Sequence, residues 1–273
     1  MSMNQKIILI TGASTGIGKA CATYLSSKGH IVYGTSRNAS FPPKKEEKNA
    51  PIMIQMDVHS DESVIQTIDF ILQKHNTIDV VVNNAGFGIA GPIEETSITA
   101  AKQQFETNFF GVHRICKTVL PQMRTKQSGT IINISSIGGI LGLPYQGFYS
   151  ASKFAIEGYT EALRMEVQPF NIHVSLIEPG DIQSSFVDKR KKYIEKDSAY
   201  KSSFHRVMET IEEEERSGVS PQKIALCVEK IIMSSKPKTR YRVGAFSQKF
   251  AAGLKGKMPD GFITWALHKF YKV

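Results

Sequence analysis

The chain has 273 residues, of which 41% are hydrophobic and 22% are charged, so it is long enough to bury a core without disulfides and is neither disordered nor collagen-like. Its formal net charge of +9 would suit nucleic acid, anionic lipid or an anionic cofactor, but the basic residues are scattered and no zinc-finger or RNA-binding motif accompanies them, so we expect no nucleic-acid partner and no metal ion. No apolar run approaches the roughly 18 residues of a transmembrane helix, and residues 7–10 are too few for a signal peptide, so we expect a cytoplasmic protein.

Short apolar runs alternate with helix-like stretches through the first two thirds of the chain. The predicted strands are residues 6–10, 30–35, 51–57, 78–82, 129–135 and 171–177. The predicted helices are residues 16–28, 60–75, 99–126 and 148–167. This alternation predicts an α/β fold with a doubly wound parallel sheet, right-handed crossovers and helices on both faces.

The pattern changes after residue 180. Residues 181–218 are long for a connection and predict a lid or a helical excursion. They contain a basic run at 189–192 and an acidic run at 212–215, which we expect to be solvated helix faces.

Three further elements are predicted beyond that segment. They are a helix over 220–234 with Pro221 in its first turn, a strand at 241–243 and an amphipathic helix at 262–271. We expect the apolar face of the last helix to pack on the body or at a subunit interface. A peripheral membrane contact is the alternative, because His268, Lys269 and Lys272 flank that face.

A glycine-rich turn, GxxxGxG, lies between the first strand and the first helix, with glycines at Gly12, Gly16 and Gly18. Such a turn lets the backbone approach a pyrophosphate, while the helix N-terminus supplies N–H donors and positive dipole. A tight turn without a ligand is the alternative. The same letters also spell GxSxG around Ser14, the nucleophile elbow of serine hydrolases, but that elbow normally follows several strands rather than the first.

Arg37 lies just beyond the second predicted strand, where an acidic residue would bind the ribose 2′-hydroxyl of NAD. The segment Ser36-Arg37 has no acid, and a guanidinium suits a 2′-phosphate that a carboxylate would repel. The sequence therefore predicts NADP(H) over NAD(H), with a surface arginine as the alternative.

Tyr149 and Lys153 are four residues apart at the start of a predicted helix, so their side chains project from one face. A nearby ammonium favours phenolate and lowers the pKa of the phenol from about 10. In the direction of reduction the same phenol can donate its proton to a developing alkoxide.

These motifs, together with Asn83-Asn84-Ala85-Gly86 and Ser136, occur in an order that resembles the short-chain dehydrogenase/reductase family. The resemblance covers residues 6–185, and the chain looks similar to hydroxysteroid- and retinol-dehydrogenase-like members. It implies one Rossmann-type domain over residues 1–273, with a substrate lid around 181–218 and a C-terminal extension around 245–273.

The resemblance also implies the roles of the site residues. Tyr149 would be the general acid/base, Ser136 rather than Ser135 would bind the substrate oxygen, and Lys153 would bind the nicotinamide ribose. Asn108 would hold a water linked to Lys153. The implied cofactor-binding residues are Gly12, Ser14, Thr15, Gly16, Ile17, Gly18, Ser36, Arg37, Asp57, Val58, Asn84, Ala85, Gly86, Tyr149, Lys153, Pro179, Gly180, Ile182 and Ser184.

Two residues depart from the family pattern. Ser184 stands where threonine is usual, and Thr15 stands where many NADP-dependent members carry a basic residue. The NADP(H) prediction therefore depends mostly on Arg37.

The uncharged segment 138–148 borders the substrate pocket in the family and suits an apolar ketone or secondary alcohol, such as a steroid, retinoid or lipid. A small or anionic ketone is the alternative substrate, and a dinucleotide-binding sensor without turnover is the alternative class. The family also implies a homodimer or homotetramer built through the helices at 99–126 and 148–167.

Overall fold

The computed structural model describes residues 5–44, 46–184 and 186–273. Its strands are β1 (Ile7–Ile10), β2 (Ile31–Ser36), β3 (Ile52–Gln55), β4 (Val80–Asn83), β5 (Ile89–Ala90), β6 (Gly129–Ile134), β7 (Ile172–Pro179), β8 (Lys191–Lys192) and β9 (Arg240–Val243). Its α-helices are α1 (Gly16–Ser27), α2 (Asp61–His75), α3 (Ile98–Phe105), α4 (Gly111–Lys126), α5 (Gly147–Val167), α6 (Phe186–Lys189), α7 (Lys201–Arg216), α8 (Gln222–Ile232), α9 (Phe246–Leu254) and α10 (Asp260–Tyr271).

Seven strands form one parallel sheet in the order β3-β2-β1-β4-β6-β7-β9. This confirms the predicted doubly wound sheet in a single α/β domain. The strand order reverses between β1 and β4, where Ile8 pairs with Val32 on one side and Val80 on the other. A reversal of this kind opens a crevice at the carboxyl ends of the strands.

Both faces of the sheet are covered, and alternate residues of β1 belong to different cores. Ile7 and Leu9 pack with α2, α4 and α5, whereas Ile8 and Ile10 pack with α1 and α8. A strand buried on both faces needs apolar side chains at every position, which explains the continuous runs in the sequence.

The predicted helix over 99–126 is helical throughout but is divided into three parts. A π-helical turn, Glu106–Phe110, separates α3 from α4. Such turns occur mostly as single insertions and frequently at functional sites. This one carries Asn108, which is buried.

The prediction that both charge runs are solvated helix faces is correct only in part, because Lys189, Lys191, Glu213 and Glu214 are exposed but other members of the two runs pair with each other. The side chain of Arg190 is buried and forms an ion pair with Glu215, and Lys192 lies 2.6 Å from Glu212. The basic run ends α6 and forms β8, which pairs with β5, and α7 brings the acidic run against it. Two pairs of opposite charge therefore meet across the segment, while the remaining members of both runs are exposed.

The C-terminal part contains the predicted helix 262–271, here α10, and an additional helix, α9, that the sequence analysis missed. Among the residues that the structure describes, no helix has both the length and the apolar content that a bilayer crossing requires.

Candidate active site

A cleft of about 860 Å³ opens at the carboxyl ends of the central strands. All of the predicted cofactor-binding residues line it except Gly18, and so do Ser136, Tyr149 and Lys153. Gly18 and Asn108 are buried beside the cleft instead. The fold thus brings residues from distant parts of the sequence into one continuous groove.

The glycine loop is shaped for close approach of a ligand. Gly12 has φ +67°, and a Cβ added there would lie 2.9 Å from the Cα of Ala85. A Cβ at Gly18 would overlap the carbonyl oxygen of Gly12. The side-chain amide of Asn84 donates to the carbonyls of Thr11 (2.9 Å) and Gly12 (3.1 Å), which fixes the loop.

The N-terminus of α1 lines the cleft. Thr15 occupies the N-cap without a side-chain capping bond, and the first turn of α1 contains no acidic residue. Lys189 donates a hydrogen bond to the Thr15 hydroxyl at 2.9 Å, which places a cation beside the same turn. Orphan N–H groups, a helix dipole and a nearby lysine fit the pyrophosphate of a dinucleotide.

Arg37 lines the cleft directly after β2. It is exposed, and its guanidinium has no ion pair with any described carboxylate. Asp57 accepts a hydrogen bond from the main-chain N–H of His59 (3.1 Å), and Ser63 accepts one from the N–H of Asp57 (3.0 Å). This part of the cleft therefore offers one free guanidinium and one oriented carboxylate.

Tyr149 and Lys153 lie on one face of α5, as the spacing predicts. The ammonium of Lys153 lies 5.9 Å from the centre of the Tyr149 ring and donates to the carbonyl of Ile134 at 2.8 Å. Ser136 follows β6, and its hydroxyl accepts from the N–H of Gly138 at 3.0 Å. The side chain of Ser136 also hydrogen-bonds Tyr149.

Asn108 holds the helix that carries Tyr149 and Lys153 in place. Its amide donates to the carbonyl of Phe87 and to the hydroxyl of Ser152, both at 3.1 Å, and its oxygen accepts from the N–H of Phe87. Ser152 directly precedes Lys153 on α5. Asn108 therefore ties the loop after β4 to the helix that carries Tyr149 and Lys153.

The sequence profile described as short chain dehydrogenase matches residues 6–195. The chain belongs to the short-chain dehydrogenase family. It is 46% identical to a 3-ketodihydrosphingosine reductase of Bacteroides thetaiotaomicron over 99% of this chain and all of that one. It is 40% identical to human retinol dehydrogenase 8, over 69% of this chain and 63% of that one.

A solved structure extends the comparison to three dimensions. The crystal structure of a short-chain dehydrogenase from Streptomyces avermitilis is 29% identical, with a TM-score of 0.82 over 97% of this chain and 98% of that one. The serine-hydrolase alternative finds no support in this short-chain dehydrogenase. Ser14 is exposed, and within the described ranges its hydroxyl has no hydrogen bond to a histidine.

Burial dominates the electrostatics of this dehydrogenase's central pair. It raises the pKa of Tyr149 to about 12, although the hydrogen bond from Ser136 opposes the rise. It lowers the pKa of Lys153 to about 8. The net shift is upward, opposite to the shift that a neighbouring ammonium would produce, because desolvation is its largest cause and the ammonium of Lys153 bonds the carbonyl of Ile134. At neutral pH Tyr149 is therefore protonated.

The lining residues named above belong to the half of the cleft that contains the glycine loop. The sequence did not predict the residues that form the other half, called the substrate half below. Phe186, whose ring lies 5.8 Å from that of Tyr149, comes from α6, and Tyr271 comes from α10. Asp181 and Glu215 also line the cleft. Burial, and then the charge of Glu215, raises the pKa of Asp181 to about 6. No local pattern marks these positions, since they meet only through packing of the segment after β7.

Proposed function

We propose that the protein reduces the keto group of a lipid-like substrate with NADPH. The observation that carries this proposal is the buried, protonated Tyr149, which lies against Ser136 and one helical turn from Lys153 in the same cleft as the glycine loop.

The residues of the cleft fit a nicotinamide dinucleotide. The glycine loop and the start of α1 would hold the pyrophosphate, Asp57 and Val58 the adenine, and Lys153 the nicotinamide ribose. Asn84, Ala85 and Gly86 would lie along the cofactor, and the backbone of Pro179–Ile182 with the hydroxyl of Ser184 would hold the carboxamide. When bound, the cofactor supplies or accepts a hydride at the substrate carbon.

The choice of NADP(H) is supported by Arg37, whose guanidinium is free of ion pairs among the described residues and borders the cleft. Lys189 adds a second cation near the glycine loop, beside the neutral Thr15, which stands where many NADP-dependent members carry a basic residue. Both would favour a cofactor with an additional phosphate.

Tyr149 would give its proton to the oxygen of the reduced carbonyl, and Ser136 would donate a hydrogen bond to that oxygen as negative charge develops. A phenol with a pKa of about 12 stays protonated at physiological pH, so it suits the reductive direction. Lys153 places a positive charge near Tyr149, the proton donor. Asn108 orients α5, the helix that carries Tyr149 and Lys153.

The substrate half of the cleft combines apolar walls with carboxylates. Leu143, Phe186, Ile211 and Phe270 line it, and an apolar cluster around Phe204 lies behind. The proposed lid, residues 181–218, supplies much of this half.

Glu215 is paired with Arg190, whereas the carboxylate of Asp181 has no ion pair with any described residue, so Asp181 is the charge in this half that a substrate cation can meet. An apolar chain with an ammonium near its ketone satisfies both features, and the name of the Bacteroides relative describes a ketone of that kind. We therefore propose a long-chain amino ketone as the substrate.

Initial rates with separate NADPH and NADH test this function. The panel contains 3-ketodihydrosphingosine, its N-acetyl derivative as a neutral matched control, an apolar steroid ketone and a long-chain 3-keto acid. We expect the highest kcat/KM for the amino ketone with NADPH. Preference for the keto acid would contradict the substrate class, and cofactor binding without turnover of any compound would indicate a sensor.

We also propose that the protein assembles as a homodimer or homotetramer through α4 and α5. Phe110, directly before α4, and Phe154 and Met165 on α5 are exposed apolar side chains. Light scattering coupled to size-exclusion chromatography checks this, and a monomer at micromolar concentration would contradict it.

A further inference from the structure

The last two helices present aromatic side chains to solvent. Phe246 is 79% exposed, Phe250 and Trp265 are each 57% exposed, and Phe262 and Phe270 are also exposed. They form two pairs, with ring centres 6.2 Å apart for Phe246 and Phe250 and 5.8 Å apart for Phe262 and Trp265. Each pair is an exposed apolar patch of the kind that marks an interaction surface.

The same segment is strongly basic. Residues 245–273 contain five lysines and one acidic residue, Asp260. Lys255, Lys257, Lys269 and Lys272 are exposed, and the ammonium of Lys269 lies 5.4 Å from the centre of the Trp265 ring. Cations interleaved with tryptophan and phenylalanine are the pattern that binds an anionic bilayer surface. A second copy of this chain would bring like charges together.

This surface adjoins the mouth of the cleft. α10 packs against α7, and its Phe270 and Tyr271 line the cleft, while Trp265 on the same helix faces solvent. α9 is anchored nearby, since the side-chain oxygen of Gln248 accepts from the N–H of Asp181 at 3.1 Å. Whatever binds α9 and α10 therefore lies next to the cleft.

We propose that residues 245–273 dock the protein on an anionic lipid bilayer, with Trp265, Phe246 and Phe250 in the interfacial region and the lysines against lipid phosphates. The cleft mouth then lies at the membrane surface, from which a poorly water-soluble ketone can be drawn. The delivery role rests on the proposed function, whereas the docking itself does not.

Trp265 is the only tryptophan of the chain, so its fluorescence reports directly on this surface. The full-length protein is titrated with vesicles of phosphatidylcholine that contain about 30% of the anionic lipid phosphatidylglycerol. Vesicles of pure phosphatidylcholine, which carry no net charge, are the comparison. We expect a blue shift and quenching by brominated lipid with the anionic vesicles, and much weaker binding to the uncharged ones. No shift with anionic vesicles, or equal binding to both compositions, would overturn the proposal.

A charge-reversed pair separates docking from general electrostatics. Lys255→Glu/Lys257→Glu should weaken binding to anionic vesicles at least about 25-fold, since each lysine near the surface contributes roughly five-fold. Lys223→Glu/Lys236→Glu changes the charge equally at two exposed lysines outside the segment and should have a far smaller effect. Equal losses in the two variants would contradict a docking surface at 245–273.

The aromatic contribution is tested by Phe246→Ser/Phe250→Ser in vesicle flotation, with circular dichroism as the check on folding. We expect loss of flotation with an unchanged spectrum. A blue shift that depends on protein concentration in the absence of vesicles would instead assign the surface to a second copy. Vesicle binding without turnover of the amino ketone would leave docking intact and refute the proposed function, so the two fail separately.

Discussion

The two halves of the cleft are held by different kinds of contact. At the glycine loop, the Asn84 amide binds two main-chain carbonyls, and the Thr11 hydroxyl accepts from two main-chain N–H groups. At the substrate half, Arg190 pairs with Glu215 and Gln248 donates to the carboxylate of Asp181, so pairs of side chains add to the bond between Gln248 and the main-chain N–H of Asp181.

This difference has consequences for specificity. Main-chain geometry at the loop depends on the sheet beneath it and changes little when substrates change. Side-chain pairs on a connecting segment can be exchanged without disturbing the sheet. We therefore expect substitutions in the glycine-loop half to affect all substrates alike. Substitutions in the substrate half should alter the preference among substrates.

The largest effect is expected at the point where the halves meet. Tyr149→Phe removes the proposed proton donor and should lower kcat by about 10²–10⁴-fold for every ketone. NADPH affinity, measured by the fluorescence of the bound cofactor, should be nearly unchanged because the ring remains. Full turnover by this variant would refute the role of Tyr149.

The pH dependence of the wild-type reaction provides a second check on Tyr149. Because the pKa of its phenol is raised to about 12, the rate of reduction should not fall through loss of that proton between pH 6 and 9. Lys153, with a pKa lowered to about 8, loses its charge in that range. A decline near pH 8 that disappears in Lys153→Arg would therefore belong to the lysine.

The glycine loop should tolerate almost no added volume. Gly18→Ala would force its new methyl group into the Gly12 carbonyl and against the Cα of Ala13, so we expect loss of cofactor binding and about 1–3 kcal/mol of stability. Gly158→Ala is the matched control, since within one protomer no atom lies within 4 Å of an added Cβ there, and light scattering checks that the proposed interface through α5 is kept. That control should raise stability by roughly 0.5–1 kcal/mol. Unchanged NADPH binding in Gly18→Ala would argue against a loop fixed by main-chain packing.

Arg37 tests whether cofactor selection also belongs to the glycine-loop half. Arg37→Ala should raise the KM for NADPH by about 10–100-fold, the range for loss of hydrogen bonds to a charged group. The KM for NADH should stay within a few-fold, and the ranking of ketones should not change. Equal effects on both cofactors would remove the NADP(H) assignment.

The same division explains what the sequence could predict. The strands, their order of appearance and the positions of Tyr149 and Lys153 follow from local patterns, because apolar periodicity and helical spacing act over a few residues. The burial of Arg190 and the convergence of Asp181 with Glu215 do not, since they depend on how α6, β8 and α7 pack. The raised pKa of Tyr149 also required the structure, because spacing reveals the neighbouring ammonium but not the loss of solvent.

The smallest expected effect on kinetics comes from a substitution in the substrate half, and it should distinguish one ketone from another. Asp181→Asn should raise the KM for 3-ketodihydrosphingosine by roughly 10-fold, the loss of one charge-assisted hydrogen bond. The N-acetyl derivative, which has no ammonium, should be almost unaffected.

The pH profile sharpens this last prediction. The carboxyl of Asp181 has a pKa raised to about 6, so it gains its negative charge as the pH rises through that value. The KM of the wild-type enzyme for the amino ketone should therefore fall between pH 5 and 7, and that fall should be absent in Asp181→Asn. Because the folded state holds this proton more tightly than the unfolded chain, Asp181 also makes the protein less stable as the pH rises toward 7, and Asp181→Asn should be the more stable variant there. An equal change in KM for both ketones would show that Asp181 shapes the cleft rather than recognising the ammonium, and the two halves would then not differ in the way proposed.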